Sequence, residues 1–144
     1  MKKQSTKRNL PHDGVWTRIQ RSPIAGVGVF AIRAIPKGTF MFPDDNARIR
    51  WVDKKQIKGL RGELRRLYDD FSIIKDNGRI YGCPSSFNRL TVAWFMNEPK
   101  PGQAPNVGCA KDYAFYALRK IAAGKELTLD YNTFSERPPT SKSG

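Results

Sequence analysis

Cysteine and histidine are nearly absent from this 144-residue chain, which has two cysteines, Cys83 and Cys109, and a single histidine, His12. Two cysteines close at most one disulfide and cannot supply an all-cysteine zinc site. Both read as buried small residues rather than ligands or nucleophiles, so no metal site is expected. His12 falls in the turn signal Pro11-His12-Asp13-Gly14, which argues against a Ser–His or Cys–His nucleophile pair. Long apolar runs are missing as well. The longest, 28–32 and 92–96, are far too short for a membrane span. The leading Met-Lys-Lys-Gln-Ser-Thr-Lys-Arg is basic without an apolar core, against a secretory signal. These absences leave a cytoplasmic domain as the expectation, or a nuclear, chromatin-associated one in a nucleated cell.

Acidic residues are scarce: 13 Asp+Glu face 26 Lys+Arg, for a formal net charge of +13. Such a surplus favours solubility and attracts anionic partners without specifying a fold. Eight of the basic residues crowd between Arg48 and Arg66, with Asp53 and Glu63 the only acids among them. That cluster fits a solvated face and an anion-docking surface equally well. Aromatic residues make up 11% of the chain (8 Phe, 5 Tyr, 3 Trp), too many for a disordered basic tail. One domain is therefore expected over 14–136, between a disordered basic tail at 1–13 and a flexible tail at 137–144.

Within that domain short extended segments alternate with Gly and Pro. Residues 15–20 alternate in polarity, and 27–32, 79–82, 113–118 and 126–131 also read as strands. Residues 92–96 suit a buried strand or a short helical turn. Between 99 and 105 three prolines force a loop. One helix is predicted from Asp53, an N-cap residue, to about Phe71, because Ile57, Leu60, Leu64, Leu67, Tyr68 and Phe71 recur at helical spacing. Lys54, Lys58, Arg61 and Arg65 form its opposite arc, while Gly59 and Gly62 weaken it.

Taken singly, the chemical signals are modest. Gly26-Val27-Gly28 joins two extended segments and suits a turn, a bulge or a close backbone approach to a ligand. It lacks the third glycine of a Rossmann fingerprint and the Gly-Lys-Ser/Thr of a phosphate loop. Asn97 and Asn106 suit turns, and Tyr131 suits a half-buried strand end.

In order along the chain, these signals resemble the SET-domain family of protein lysine methyltransferases. The family's Gly-x-Gly, apolar pair, Ala and Ile-x-x-Gly correspond to 26–38, Gly26-Val27-Gly28-Val29-Phe30-Ala31 through Ile35-Pro36-Lys37-Gly38. Its closing Ile-x-x-Gly-x-Glu-Leu-Thr-x-x-Tyr corresponds to 121–131, from Ile121 and Gly124 through Glu126-Leu127-Thr128 to Tyr131. Between them, Met96-Asn97-Glu98-Pro99 and Pro105-Asn106 partly match the family's Asn-His-Ser segment and Pro-Asn pair. Glu98 stands where the family usually has His, Pro99 where it has Ser, and the loop to Asn106 is about three residues longer. No cysteine cluster follows Tyr131, so the chain resembles the minimal, metal-free members of bacteria and large viruses.

The resemblance implies a mainly β, β-clip-like SET fold of several small sheets, with a C-terminal pseudoknot and one helix in a variable insert at about 44–90. It also implies S-adenosylmethionine as methyl donor, S-adenosylhomocysteine as product, no metal, and a lysine of a protein or peptide as acceptor. Histone-like, ribosomal and other nucleic-acid-associated proteins are the acceptor class that the charge suggests. Weak nonspecific nucleic-acid binding is a side effect of that charge, and no membrane partner is implied. By position Tyr131 is the active-site tyrosine, and Tyr81 is the candidate for a second channel tyrosine. Gly26, Val27 and Gly28 approach the methionine part of the cofactor, and Asn97 and Glu98 hold its adenosine or amino-acid part. Phe134 stacks on adenine or fills the core. Two other readings share some features: a SET-like binding module without activity, and a small basic nucleic-acid-binding protein.

Overall fold

A computed structural model describes residues 10–136. Most of the predicted basic tail, and all of 137–144, lie outside the described residues; what is described of the tail, 10–13, is a turn closed by Asp13 N–H on the Leu10 carbonyl at 3.0 Å. Three small antiparallel sheets account for the strands. The first pairs β1 (Thr17–Arg21) with β2 (Val27–Ala31). β1 is an edge strand and shows the alternation its sequence predicts, with Thr17 buried and Arg18 and Gln20 exposed. β2 is central, so Gly28, Val29, Phe30 and Ala31 are all buried and read as an unbroken apolar run.

The second sheet belongs to the insert and runs β3 (Arg50–Asp53), β5 (Ile80–Cys83), β4 (Ile73–Lys75) in space. Tyr81 on its central strand opposes Val52 on one side and Ile74 on the other. Ile57, Ile74, Tyr81 and Cys83 form a small core of their own there. The main core gathers Val29, Ile35, Met41, Met96, Val107, Ala117, Ile121, Leu127 and Leu129 from the rest of the chain. The third sheet is the pair β6 (Val107–Cys109) and β7 (Phe115–Ala117).

β8 (Glu126–Leu127) closes the first sheet against β2, and the chain beyond it makes the decisive crossing. Thr128 bridges Asn97 and Leu129 bridges Val107, both in parallel. The chain thus passes between the two ends of the 97–107 loop. Leu129 N–H donates to the Asn97 carbonyl at 3.1 Å and Val107 N–H to the Thr128 carbonyl at 2.9 Å. The side chain of buried Asn106 fastens the crossing on both faces, donating to the Glu126 carbonyl at 2.9 Å and accepting from Thr128 N–H at 2.8 Å. The predicted strand 126–131 is therefore two residues of ladder and two single bridges, ending in a 3₁₀ turn at Tyr131–Thr133. Residues 92–95 take the helical alternative, as a 3₁₀ turn.

The single helix predicted over 53–71 is divided. Asp53 is an N-cap, accepting from Lys55 N–H at 2.9 Å while Gln56 accepts from Asp53 N–H at 3.0 Å, but it caps only the 3₁₀ turn Lys54–Ile57. The α-helix α1 starts afresh at Gly62 and runs Gly62–Asp70. Gly62 has φ +62°, a left-handed turn of backbone that no continuous helix contains. Two glycines in four residues, each about 1 kcal/mol worse than alanine in a helix, let the chain break there. The predicted arcs break with it. Leu64 is 59% exposed, and Arg65 turns inward to Asp69 and the Tyr81 hydroxyl instead of joining a basic face.

Candidate active site

The site grows from the turn between β1 and β2. Gly26 takes φ +46°, and the turn it allows is held from across the fold by the Asn97 side chain. Asn97 Nδ2 lies 3.1 Å from the carbonyls of Ala25 and Val27, 3.2 Å from Ser22 Oγ and 2.9 Å from Glu126 Oε2. All four neighbours offer acceptor oxygens, which fixes the amide orientation even though its two hydrogens serve four partners. The Ser22 hydroxyl lies 2.9 Å from both Glu126 carboxylate oxygens. Glycine at 28 leaves room for this cluster: a Cβ there would collide with the Glu126 carboxylate, which could move aside only by giving up its bonds to Ser22 and Asn97. Gly26, Val27, Gly28 and Asn97 are thus brought together, with Ser22 and Glu126 as partners that the sequence reading did not single out.

Tyr131 stands at the other end of the Asn97 segment. Its backbone N–H donates to Glu98 Oε2 at 3.1 Å, and its hydroxyl donates to the carbonyl of Met96, a residue 1% exposed. The residue as a whole is 36% exposed, while its hydroxyl is taken up by that carbonyl. Burial pushes the phenol pKa up to about 12, with the nearby Glu98 carboxylate adding to the rise. Phe134, three residues on, packs against Tyr131 at 6.0 Å between ring centroids and against Phe115 at 5.3 Å.

Tyr131 and Phe134 form one wall of a narrow cavity of about 60 Å³. The rest of the lining is mostly apolar and aromatic, including Ile73, Trp94, Met96, Tyr113, Phe115 and Leu129. Among the described residues its charged lining is Asp45 and Asp70, in a molecule carrying +13. Asp45 accepts from the Thr91 hydroxyl at 2.8 Å. Burial raises the Asp45 carboxyl pKa, and the Thr91 bond and Arg48 oppose that rise. Tyr113 holds an unusual backbone, φ 61° following Asp112 at 63°, and its ring meets Trp51 at 5.4 Å. The Asn46 side chain donates to the Asp112 carbonyl at 2.9 Å and ties this turn to the insert.

Tyr81 does not join this group. It is 0% exposed in the insert core, accepts a hydrogen bond from Arg65 at 3.1 Å, and is not among the residues lining the cavity. The tyrosine that does share the cavity with Tyr131 is Tyr113. Residue types gave no hint of this, because Tyr113 is delivered by a left-handed turn with no glycine in it. The cysteine thiols are unreactive by environment: burial pushes Cys109 up to about 11 and raises Cys83. His12 stays on the exposed N-terminal turn beside Asp13. Among the described residues no group of three or more His, Cys, Asp or Glu could hold a metal, and no helix is long and apolar enough to cross a membrane.

Small antiparallel sheets, a closing strand that crosses between two loop ends, and a tyrosine delivered by that strand to an aromatic cavity define a SET-type domain. The chain belongs to the SET-domain family, whose model matches residues 26–132. Members of this family are generally protein lysine methyltransferases that use S-adenosylmethionine. None of the curated proteins matches the chain.

Proposed function

We propose that this protein transfers a methyl group from S-adenosylmethionine to lysine side chains of a protein substrate. The observation that carries the reading is the cavity at Tyr131, aromatic and apolar, whose charged lining among the described residues is Asp45 and Asp70, in a strongly basic molecule. A long aliphatic stem ending in a cation suits such a cavity, its methylenes against aromatic walls and its ammonium drawn by the carboxylates.

The chain's own atoms also fit the cofactor. Around the 26–28 turn the Ala25 and Val27 carbonyls and the Glu126 carboxylate are gathered about the Asn97 amide, so a cationic ligand there would share or replace the bonds that Asn97 now makes. Gly26, Val27, Gly28, Asn97 and Glu98 would hold the methionine and adenosine parts. Phe134 offers an aromatic face next to Tyr131. When bound, S-adenosylmethionine supplies a methyl group already activated by a positive sulfur. The protein's tasks are then to align the acceptor, keep water out and favour the neutral amine.

A lysine amine, with pKa near 10.4 in water, loses its proton more readily in a desolvated cavity. Tyr131, with its pKa pushed up to about 12, keeps its own proton and acts as an orienting group rather than a base. Its hydroxyl and the Met96 carbonyl are the acceptors available to the amine. Tyr113 takes the second-tyrosine role that the sequence suggested for Tyr81.

Acidic or nucleic-acid-associated proteins are the proposed substrates. Lys54, Lys55, Lys58 and Arg79 line one cleft on the insert, with Arg79 engaged by Asp53 at 3.0 Å and by Asp76 at 3.4 Å. Mass spectrometry of proteins incubated with heavy-methyl cofactor tests the reading. Lysine residues should gain the label, and Tyr131→Phe should slow the transfer by about 100-fold, the cost of a misplaced reacting group. Cofactor binding without any labelling of lysine would favour the binding-module alternative.

A further inference from the structure

The chain just after Tyr131 is fastened to the insert by contacts that the site above does not use. The insert turn at 76–78 is left-handed throughout, with φ 58°, 58° and 81° at Asp76, Asn77 and Gly78. Its N–H groups converge on one side chain, the Glu136 carboxylate. Gly78 N–H donates to Oε1 at 2.7 Å and Asn77 N–H to Oε2 at 3.1 Å. Alongside, Ile74 N–H donates to Ser135 Oγ at 2.9 Å, and Glu136 N–H donates to the Ile74 carbonyl at 2.8 Å. β4 is the edge of its sheet, so residues 135–136 cover that edge as one extra rung.

These bonds link partners 58 to 62 residues apart, and they sit next to residues that line the cavity. Ile73 lines it from β4, and Tyr131 and Phe134 line it from the fastened segment. These two parts of its lining are thus separate stretches of chain whose spacing depends on how they are joined. A carboxylate that accepts two backbone N–H groups is a charge-assisted join, stronger than a pair of neutral bonds.

We propose that Glu136 is a positioning residue for methyl transfer: its carboxylate clamps the 135–136 segment to the insert turn and so fixes Tyr131 and Phe134 opposite Ile73. It touches neither substrate nor cofactor. The proposal rests on the methyltransferase reading for its catalytic part and on geometry alone for its structural part, and the test separates the two. Hydrogen exchange is followed by mass spectrometry on the full chain with Glu136→Ala and Glu136→Gln, alongside steady-state methyl transfer.

In Glu136→Ala the amides of 131–136 should exchange at least about tenfold faster while β1 and β2 keep their protection. Its kcat should fall about tenfold with the cofactor KM near that of the wild type, the pattern of a misaligned site rather than a weakened one. Glu136→Gln keeps one acceptor oxygen and should lie between the two. Unchanged exchange in both variants overturns the clamp. Exchange that rises equally in β1 and β2 reduces Glu136 to a general stabiliser, and wild-type kcat with a loosened segment removes its link to catalysis; either overturns the proposal. If the wild type transfers no methyl group, the functional reading fails, and the exchange pattern still decides whether Glu136 holds the segment.

Discussion

Tyr131 keeps its proton because its hydroxyl has left water for the Met96 carbonyl, with Glu98 close enough to oppose a second negative charge. That has a consequence for alkaline stability. The phenol's ordinary pKa is 10.0 and burial pushes it up to about 12, so between them the folded chain retains a proton that the unfolded chain has lost. The contribution is complete below pH 10.0 and disappears as pH rises through about 12. Urea denaturation should therefore show a smaller loss of stability across that window in Tyr131→Phe than in the wild type. Equal losses would mean that the phenol is not held neutral by the fold. Of the residues that the resemblance grouped with Tyr131, Glu98 and Phe134 stand beside it, whereas Gly26, Val27, Gly28 and Asn97 gather about their own turn and do not line its cavity. Its partners in the cavity were not legible in the sequence, since Asp45, Asp70 and Tyr113 carry no pattern of their own and meet only through three-dimensional packing.

Among the elements, the insert between residues 44 and 90 departs furthest from its sequence pattern. Helical spacing of apolar residues from Ile57 to Phe71 was genuine periodicity, but it was shared between a capped 3₁₀ turn and a separate helix. Periodicity cannot see the sign of φ, and at Gly62 that sign decides the matter. In a continuous helix Gly62→Ala would stabilise the protein. At φ +62° alanine is strained, so the substitution should instead destabilise it by about 1 kcal/mol. Chemical denaturation gives the sign directly. β3, β4 and β6 also went unpredicted, being three or four residues long and specified by their partners rather than by local alternation. The strands at 17–21 and 27–31 were readable because one alternates at an edge and the other is buried on both faces. The crossing of the chain between Asn97 and Val107 came from family resemblance, since pairing across such separations leaves no local trace.

For the molecule as a whole, the charge of +13 stays off the cavity at Tyr131 but not off Glu126, whose cleft also holds Lys100, Arg119, Lys120 and Lys125. Basic residues also line the insert cleft at Lys54, Lys55, Lys58 and Arg79, whereas among the described residues the charged lining of the Tyr131 cavity is Asp45 and Asp70. A basic exterior that docks an acidic or nucleic-acid-associated protein is thereby compatible with an interior that accepts cations. Neutralising Lys54, Lys55 and Lys58 together should raise the KM for such a substrate about fivefold or more at low salt, with the difference shrinking as salt rises. An unchanged KM at low salt would return the charge to a role in solubility. If the 26–28 turn and the Asn97 segment hold S-adenosylmethionine as proposed, calorimetric titration with that cofactor shows it directly, without knowledge of the target protein. Saturable binding is predicted, weakened about tenfold or more in Gly28→Ala, whose added Cβ collides with the tethered Glu126 carboxylate. A wild-type protein that takes up no cofactor at high micromolar concentration would contradict the account.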